Sequence, residues 1–310
     1  MKTKLYKYGQ AIKCLLINCF TKPVLPVYNS FKEHYISIKR RADDSDIESI
    51  PKIIWMYWHD LDMPLFVSNI IAKIKENNPD YVLHVLNKET VKEYIEDLHF
   101  SKETRLAHQS DVIRLSLLYQ YGGIWIDATT LLYTNLEWLE ELSAKKEYDI
   151  IAYYREYSTH DFEFPITESW FLAAPKENDY IKNWLRIMSR LQDLGSEGFY
   201  TMLKERSDFD TIKQGIINPE HLMVYLAEQI ASRSNPNYNA FLIRSEASAL
   251  LIQDTLASNY KTNYALCRIP VDRIEFPLIK LCSGDRMFVD IFKQWNLIHK
   301  KSIIGRIFNA

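Results

Sequence analysis

Residues 110–130 read SDVIRLSLLYQYGGIWIDATT, and this run alone joins a helix, a sharp turn, a buried strand and a carboxylate at the strand's end. Leu106, Ile113 and Leu117 recur at helical spacing, with Asp111, Arg114 and Leu118 on the adjoining face. Gly122 and Gly123 stop that helix, because a glycine past the last turn takes the left-handed conformation that closes it and a second lets the chain reverse. Ile124, Trp125 and Ile126 then form a short apolar, β-prone run suited to a strand covered on both faces, and Asp127 ends it. If helix and strand lie antiparallel across the turn, Asp127 stands about 13 Å from the glycines at strand rise. Arg114 and Asp111 stand about 12 and 16 Å back at helical rise, so the three groups come to one level. Two readings follow: a surface ion pair worth roughly a few tenths of a kcal/mol, or a ligand site, since open α/β sheets place ligands beyond the carboxyl ends of their strands.

The surrounding chain alternates strands and helices. Residues 53–58 (IIWMYW) form a buried first strand, and Pro64 opens a helix with the face Phe66, Ile70, Ile71 and Ile74 that closes at residues 77–79. Residues 81–86 are a second strand, and Val91, Tyr94, Ile95 and Leu98 mark a further helix. Residues 148–154 and the run ESWFLAAP from Glu168 are later strands, followed by a helix carrying Ile181, Trp184, Leu185, Met188 and Leu191. This order predicts an α/β fold with a mostly parallel sheet flanked by helices. The expected organisation is a basic amphipathic segment and polar linker over 1–49, an α/β domain over 50–290 with a helical annex at about 195–233, and a basic amphipathic tail over 291–310.

Composition narrows the class. A chain of 310 residues with 47% hydrophobic content buries a sizeable core without disulfides, and a net charge of −2 argues against nucleic acid as its principal partner. Cys14, Cys19, Cys267 and Cys282 form no CxxC pair, which predicts a reduced, cytoplasmic protein. No GxGxxG, GxxxxGK[ST], GxSxG or HExxH motif is present, so dehydrogenase, NTPase, hydrolase and zinc-protease readings lack their signatures. No apolar run is long enough to span a membrane. The first 22 residues do place Leu5, Ile12, Leu16, Cys19 and Phe20 on one helical face, with Lys2, Lys4, Lys7, Lys13 and Lys22 and no acid. Such a segment reads either as a helix lying on an anionic membrane surface or as one docked on the catalytic domain with a solvated basic face. The C-terminal Lys293, Lys300, Lys301 and Arg306, interleaved with Trp295, Ile298, Ile303, Ile304 and Phe308, repeat the pattern.

Ser110, Asp111, Arg114, Leu118, Tyr119, Gly122, Gly123 and Asp127 resemble the core signature of the bacterial capsular-polysaccharide-synthesis glycosyltransferases. They also resemble the related α-mannosyltransferase-like family with a DXD sugar-binding region and, more distantly, the glucosylating toxins. The resemblance covers most of residues 50–286 and implies a GT-A-like fold that moves a sugar from a nucleotide-diphosphate sugar to a growing surface glycan. That glycan would belong to a capsule, O-antigen or lipooligosaccharide, as an oligosaccharide or lipid-linked acceptor, and configuration would be retained. It further implies that Asp111 and Arg114 hold donor-sugar hydroxyls, that Asp127 is the first acid of the DXD, and that Trp58, with Trp55 second, stacks on the base. Strand alternation lets only one of those two tryptophans face the site. Glu168 and Ser169 fall beside the sugar, and the glycine turn in PLIKLCSGDR brings Lys280, Ser283, Asp285 or Arg286 to the diphosphate.

The second acid of the DXD is absent, since Asp127 is followed by Ala128 and Thr129. Thr129 offers a hydroxyl where a charge is usual. A divalent cation, Mn2+ or Mg2+, is then expected to be held by the donor diphosphate and by Asp127 directly or through water. The alternative is that Lys280 or Arg286 supplies the charge. A catalytically silent sugar-nucleotide or glycan-binding module and a membrane-associated scaffold of a polysaccharide assembly complex are the competing functions. The expected location is the cytoplasm, peripheral on the inner face of its membrane.

Overall fold

The computed structural model describes residues 2–30, 34–42 and 47–308. The chain opens with α1 (Lys2–Thr21), β1 (Tyr35–Lys39), β2 (Ile53–Tyr57), α2 (Leu65–Asn77) and β3 (Val82–Leu86). The central stretch supplies α3 (Leu106–Tyr121), β4 (Gly123–Ile126), β5 (Thr130–Leu132), α4 (Glu137–Ala144), β6 (Ile150–Tyr154) and β7 (Thr167–Ala174). There follow α5 (Asp179–Met188), α6 (Arg190–Lys204), α7 (Phe209–Lys213), α8 (Met223–Ser234) and β8 (Asn239–Arg244). The chain closes with α9 (Leu251–Leu256), α10 (Asn259–Arg268), β9 (Leu278–Lys280), α11 (Val289–Gln294) and α12 (Ile303–Phe308).

Among the described residues the main sheet has seven strands in the order β1-β8-β6-β7-β4-β2-β3. β2 runs parallel to β3 and to β4, and β6 runs parallel to β8. β7 is antiparallel to both β4 and β6, and β1 is antiparallel to β8. Thus β2, β3, β4, β6 and β8 share one direction, which is the mostly parallel α/β arrangement expected. β5 and β9 pair as a separate ribbon. Alternation along β4 divides the core: Ile124 and Ile126 join the cluster under α2, α10 and α12, whereas Trp125 joins the one under α3, α5 and α8.

The helix-to-strand reversal depends on both glycines. Gly122 has φ 66°, and a Cβ there would lie 2.5 Å from the Lys176 nitrogen. Gly123 has φ 98°, and its Cβ would lie 2.6 Å from the Ile53 carbonyl oxygen. Neither the left-handed backbone nor the closeness of the neighbouring strand admits a side chain. Trp55 secures the same turn by donating its indole N–H to the Gly122 carbonyl at 2.9 Å.

Four elements differ from expectation. Within the amphipathic segment and linker expected over 1–49, Tyr35–Lys39 form β1, an edge strand of the main sheet; residues 43–46 lie outside the described residues. The helix expected across Val91–Leu98 is a 3-10 turn at Thr90–Glu93, because the Asn87 side chain accepts from the Glu89 and Thr90 N–H groups and fixes a tight turn there. Within residues 195–233, α8 is a core element whose residues Met223–Ser232 are all buried, against α5 and β7. The C-terminal apolar residues also turn inward: Ile303 and Ile304 of α12 are buried in the core beside α2.

Candidate active site

The parallel strands β2, β4 and β6 deliver their carboxyl ends to a single cleft of about 730 Å3. Of the residues singled out in the sequence, Trp58, Asp111, Arg114, Asp127, Thr129, Glu168, Ser169, Lys280, Ser283, Asp285 and Arg286 line it. Trp55 does not. It is 1% exposed, stacked on His84 at 4.6 Å and bound to the glycine turn, so it is a core tryptophan. Trp58 follows β2 by one residue, and its indole N–H is buried at the cleft with no hydrogen-bond partner among the described residues.

At the centre lies a chain of charge. Arg114 meets Asp111 at 3.2 Å through Nη1 and Asp127 at 3.3 Å through Nη2, while Nη1 also donates to the Ser169 hydroxyl. The guanidinium carbon sits 5.1 Å from the centre of the Trp125 ring. Lys280 pairs with the other carboxylate oxygen of Asp127, and the Trp125 indole donates to Oδ1 at 2.9 Å. The two acids respond oppositely to this setting. Burial pushes the Asp111 carboxyl up to about 7 against the pull of Arg114. Burial acts the same way on Asp127, but the charges of Lys280 and Arg114 with the Lys280 and Trp125 hydrogen bonds outweigh it and hold that carboxyl below its ordinary value.

Glu168, one residue into β7, accepts a hydrogen bond from the Tyr225 hydroxyl, and burial raises its carboxyl despite that bond. Asp285 braces its own turn, accepting from the Cys282 N–H at 2.8 Å and from Gln253 at 3.2 Å. Both bonds fall on one carboxylate oxygen, Oδ2, and Asp285 lines the cleft. Arg286 also lines the cleft, and its guanidinium makes no hydrogen bond or ion pair among the described residues. Ser283 is exposed at the rim.

Sequence reasoning missed Tyr225 and Arg155. Tyr225 lies in an apolar helix where only the fold reveals that it faces Glu168. Arg155 follows β6 and pairs at 3.4 Å with the buried Glu246, which also accepts from the Glu156 and Tyr157 N–H groups and so shapes the loop over the cleft. His221 also lines the cleft, and its carbonyl accepts from His108 Nε2 at 3.1 Å.

The residues present do not fit a divalent ion held by the protein. Among the described residues no three His, Cys, Asp or Glu side chains are grouped to hold one. Both oxygens of Asp127 are engaged by cationic or N–H donors, and the Thr129 hydroxyl donates to the Leu281 carbonyl at 3.0 Å.

Residues 25–191 match the capsular polysaccharide synthesis protein family, a span of more than half the chain that includes the glycine turn, the Asp111–Arg114–Asp127 constellation and Glu168. The chain belongs to this family. It is 30% identical over 162 residues to the O-glycosyltransferase braB of Annulohypoxylon truncatum, covering 46% of this chain and 38% of that protein. It is 27% identical over 126 residues to the glycosyltransferase afumC of Aspergillus fumigatus, covering 40% and 32%. The matched region thus spans less than half the length of these curated relatives. Among solved structures, the PaToxG glycosyltransferase is similar at a TM-score of 0.35 and 17% identity, over 73% of this chain and 88% of that one. A likeness that low carries no part of the assignment. No helix among the described residues is long and apolar enough to cross a membrane.

Proposed function

We propose that this member of the capsular polysaccharide synthesis family is a glycosyltransferase that takes a sugar from a nucleotide-diphosphate donor and adds it, with retention, to a growing surface glycan. The observation that carries the reading is the Asp111–Arg114–Asp127–Lys280 chain at the strand ends, beside an unpartnered Trp58 indole and an unpartnered Arg286 guanidinium. Trp58 takes the base, Arg114 and Asp111 hold ring hydroxyls, Asp127 holds the ribose or sugar, and Lys280 with Arg286 faces the diphosphate. Glu168 and Ser169 sit on the sugar side.

In the transfer, the bond from the anomeric carbon to the diphosphate oxygen breaks, the acceptor hydroxyl oxygen bonds to that carbon, and its proton passes to the departing diphosphate. Positive charge grows on the sugar and negative charge on the diphosphate, so fixed carboxylates near the first and fixed cations near the second lower the barrier. The carboxylates that line the cleft already hold partners, Asp111 and Asp127 in Arg114 and Lys280, Glu168 in Tyr225, Asp254 in the Tyr157 hydroxyl and Asp285 in the Cys282 N–H and Gln253, which favours front-face attack over a covalent glycosyl intermediate.

The acceptor is a lipid-linked or oligosaccharide glycan met at the cytoplasmic membrane surface. Supporting this, α1 docks on α10 through Cys14 and Asn18, which contact the Tyr260 carbonyl at 3.2 and 3.1 Å, and turns Leu5, Ile12, Leu16 and Phe20 to solvent. Phe20 is 88% exposed, and exposed Lys7, Lys13 and Lys22 accompany this stripe. An apolar stripe with basic neighbours suits an anionic lipid surface.

Thermal unfolding against a panel of sugar nucleotides tests the donor reading, because a ligand that binds only the folded state raises Tm. A shift with one donor that Trp58→Ala removes supports it, and a flat response across the panel contradicts it. The anomeric proton coupling of the product reads out retention or inversion.

A further inference from the structure

We propose that Lys280 is the fixed positive charge that receives the departing diphosphate, so that donor binding and transfer need no divalent cation. This rests on the donor-site reading above and deepens it.

Three observations converge. The Lys280 ammonium is paired with Asp127, the residue that would otherwise bind a cation. A dication placed on that carboxylate would lie beside both Lys280 and Arg114, so like-charge repulsion opposes it unless one of them withdraws. Second, Thr129, which stands where a second carboxylate is usual, serves another purpose. Its hydroxyl donates to the Leu281 carbonyl at 3.0 Å and so ties the strand-end loop to the segment bearing Lys280. Third, Lys280 is held in advance of any ligand. Its N–H donates to the Ala249 carbonyl at 3.0 Å, its carbonyl accepts from Gln253, and it pairs with Thr130 between β9 and β5. The side chain is only 11% exposed, which limits both its freedom and the screening of its charge.

An ammonium has three donors, and the pairing with Asp127 leaves others for phosphate oxygens. Arg286, unpartnered on the same wall, provides the second cation. Two cations match the doubled charge of a diphosphate, and Lys280, held in place beforehand, needs no reorganisation as the sugar–oxygen bond breaks. These three backbone anchors hold a lysine distant in sequence where its charge stands in for a metal ion beside Asp127.

Calorimetric titration with UDP, GDP, CDP and dTDP, each in excess EDTA and in Mn2+, tests the proposal. One of these should bind with dissociation constants that agree within about threefold in the two conditions. Lys280→Met should weaken that binding in EDTA by about tenfold or more, the worth of a charge-assisted hydrogen bond, while leaving the affinity of the matching nucleoside unchanged. Lys280→Arg should restore most of the loss, which a merely structural role would not produce. Binding that appears only with Mn2+, or a folded Lys280→Met protein that binds in EDTA as the parent does, overturns the proposal. Absence of binding in both conditions removes the donor-site reading itself, and this proposal with it.

Discussion

The guanidinium of Arg114 meets the carboxylate of Asp127 at 3.3 Å across the Gly122–Gly123 turn, one group from a helix and the other from the strand that follows it. The pairing is a matter of counting: about eight residues at helical rise and four at strand rise cover nearly the same distance. Lysine matches the charge but not the fork that spans Asp111, Asp127 and Ser169. Arg114→Lys should therefore lower kcat/KM by about a hundredfold while the protein stays folded, and Asp127→Asn should cost at least as much. Steady-state kinetics with circular dichroism on the same samples checks both; near-parent turnover in a folded variant refutes the assignment.

The turn itself gives a stability prediction. Gly122→Ala forces a side chain into a left-handed backbone and against the Lys176 nitrogen, so unfolding free energy should fall by at least about 2 kcal/mol. Gly9, whose Cβ would meet nothing within 4 Å, is the control and should tolerate alanine. Equal denaturation midpoints for the two variants would contradict the account of the turn.

Asp111 sets a pH dependence. Its folded carboxyl is pushed up to about 7 by burial, above its ordinary value of 3.8, so the folded state holds the proton more firmly than the unfolded chain. That contribution is full below pH 3.8 and is lost as pH rises through about 7. The parent should thus lose stability relative to Asp111→Asn as pH is raised from 4 to 7, with the gap level above. Tm measured across that range decides it, and a gap independent of pH counts against a buried, proton-holding Asp111.

The outward face of α1 can be altered without touching the core. Leu16 is 58% and Phe20 88% exposed, so Leu16→Ser with Phe20→Ser should leave Tm unchanged. If the stripe enters a bilayer, where each apolar side chain is worth about 1.5–3 kcal/mol, the double variant should lose at least tenfold in binding to phosphatidylglycerol vesicles. Raising salt should weaken the parent by screening its lysines. Vesicle sedimentation that does not distinguish variant from parent removes the membrane role.

Much of the fold was legible because its signals are local. The glycine pair, the apolar runs of β2, β4 and β7 and the period of α2 and α5 each occupy a few consecutive residues whose spacing encodes their structure. The levels of Asp111, Arg114 and Asp127 followed from the same arithmetic. What stayed hidden depends on distant neighbours. The Lys280–Asp127 pair bridges 153 positions, and β5–β9 pairing creates it rather than any motif around either residue. Tyr225 faces Glu168 from across 57 positions. β1 was missed because an edge strand with one packed face looks polar, and the C-terminal isoleucines were read as a surface stripe because amphipathic spacing does not say which partner covers it.

The most direct test of the central claim is release of free nucleoside diphosphate by the purified protein from a panel of UDP-, GDP-, CDP- and dTDP-sugars, with Asp127→Asn alongside. The account predicts turnover with one donor class, reduced about a hundredfold or more in the variant. Saturable donor binding with no release by the parent would contradict it, making the cleft a sugar-nucleotide-binding module instead of an active site.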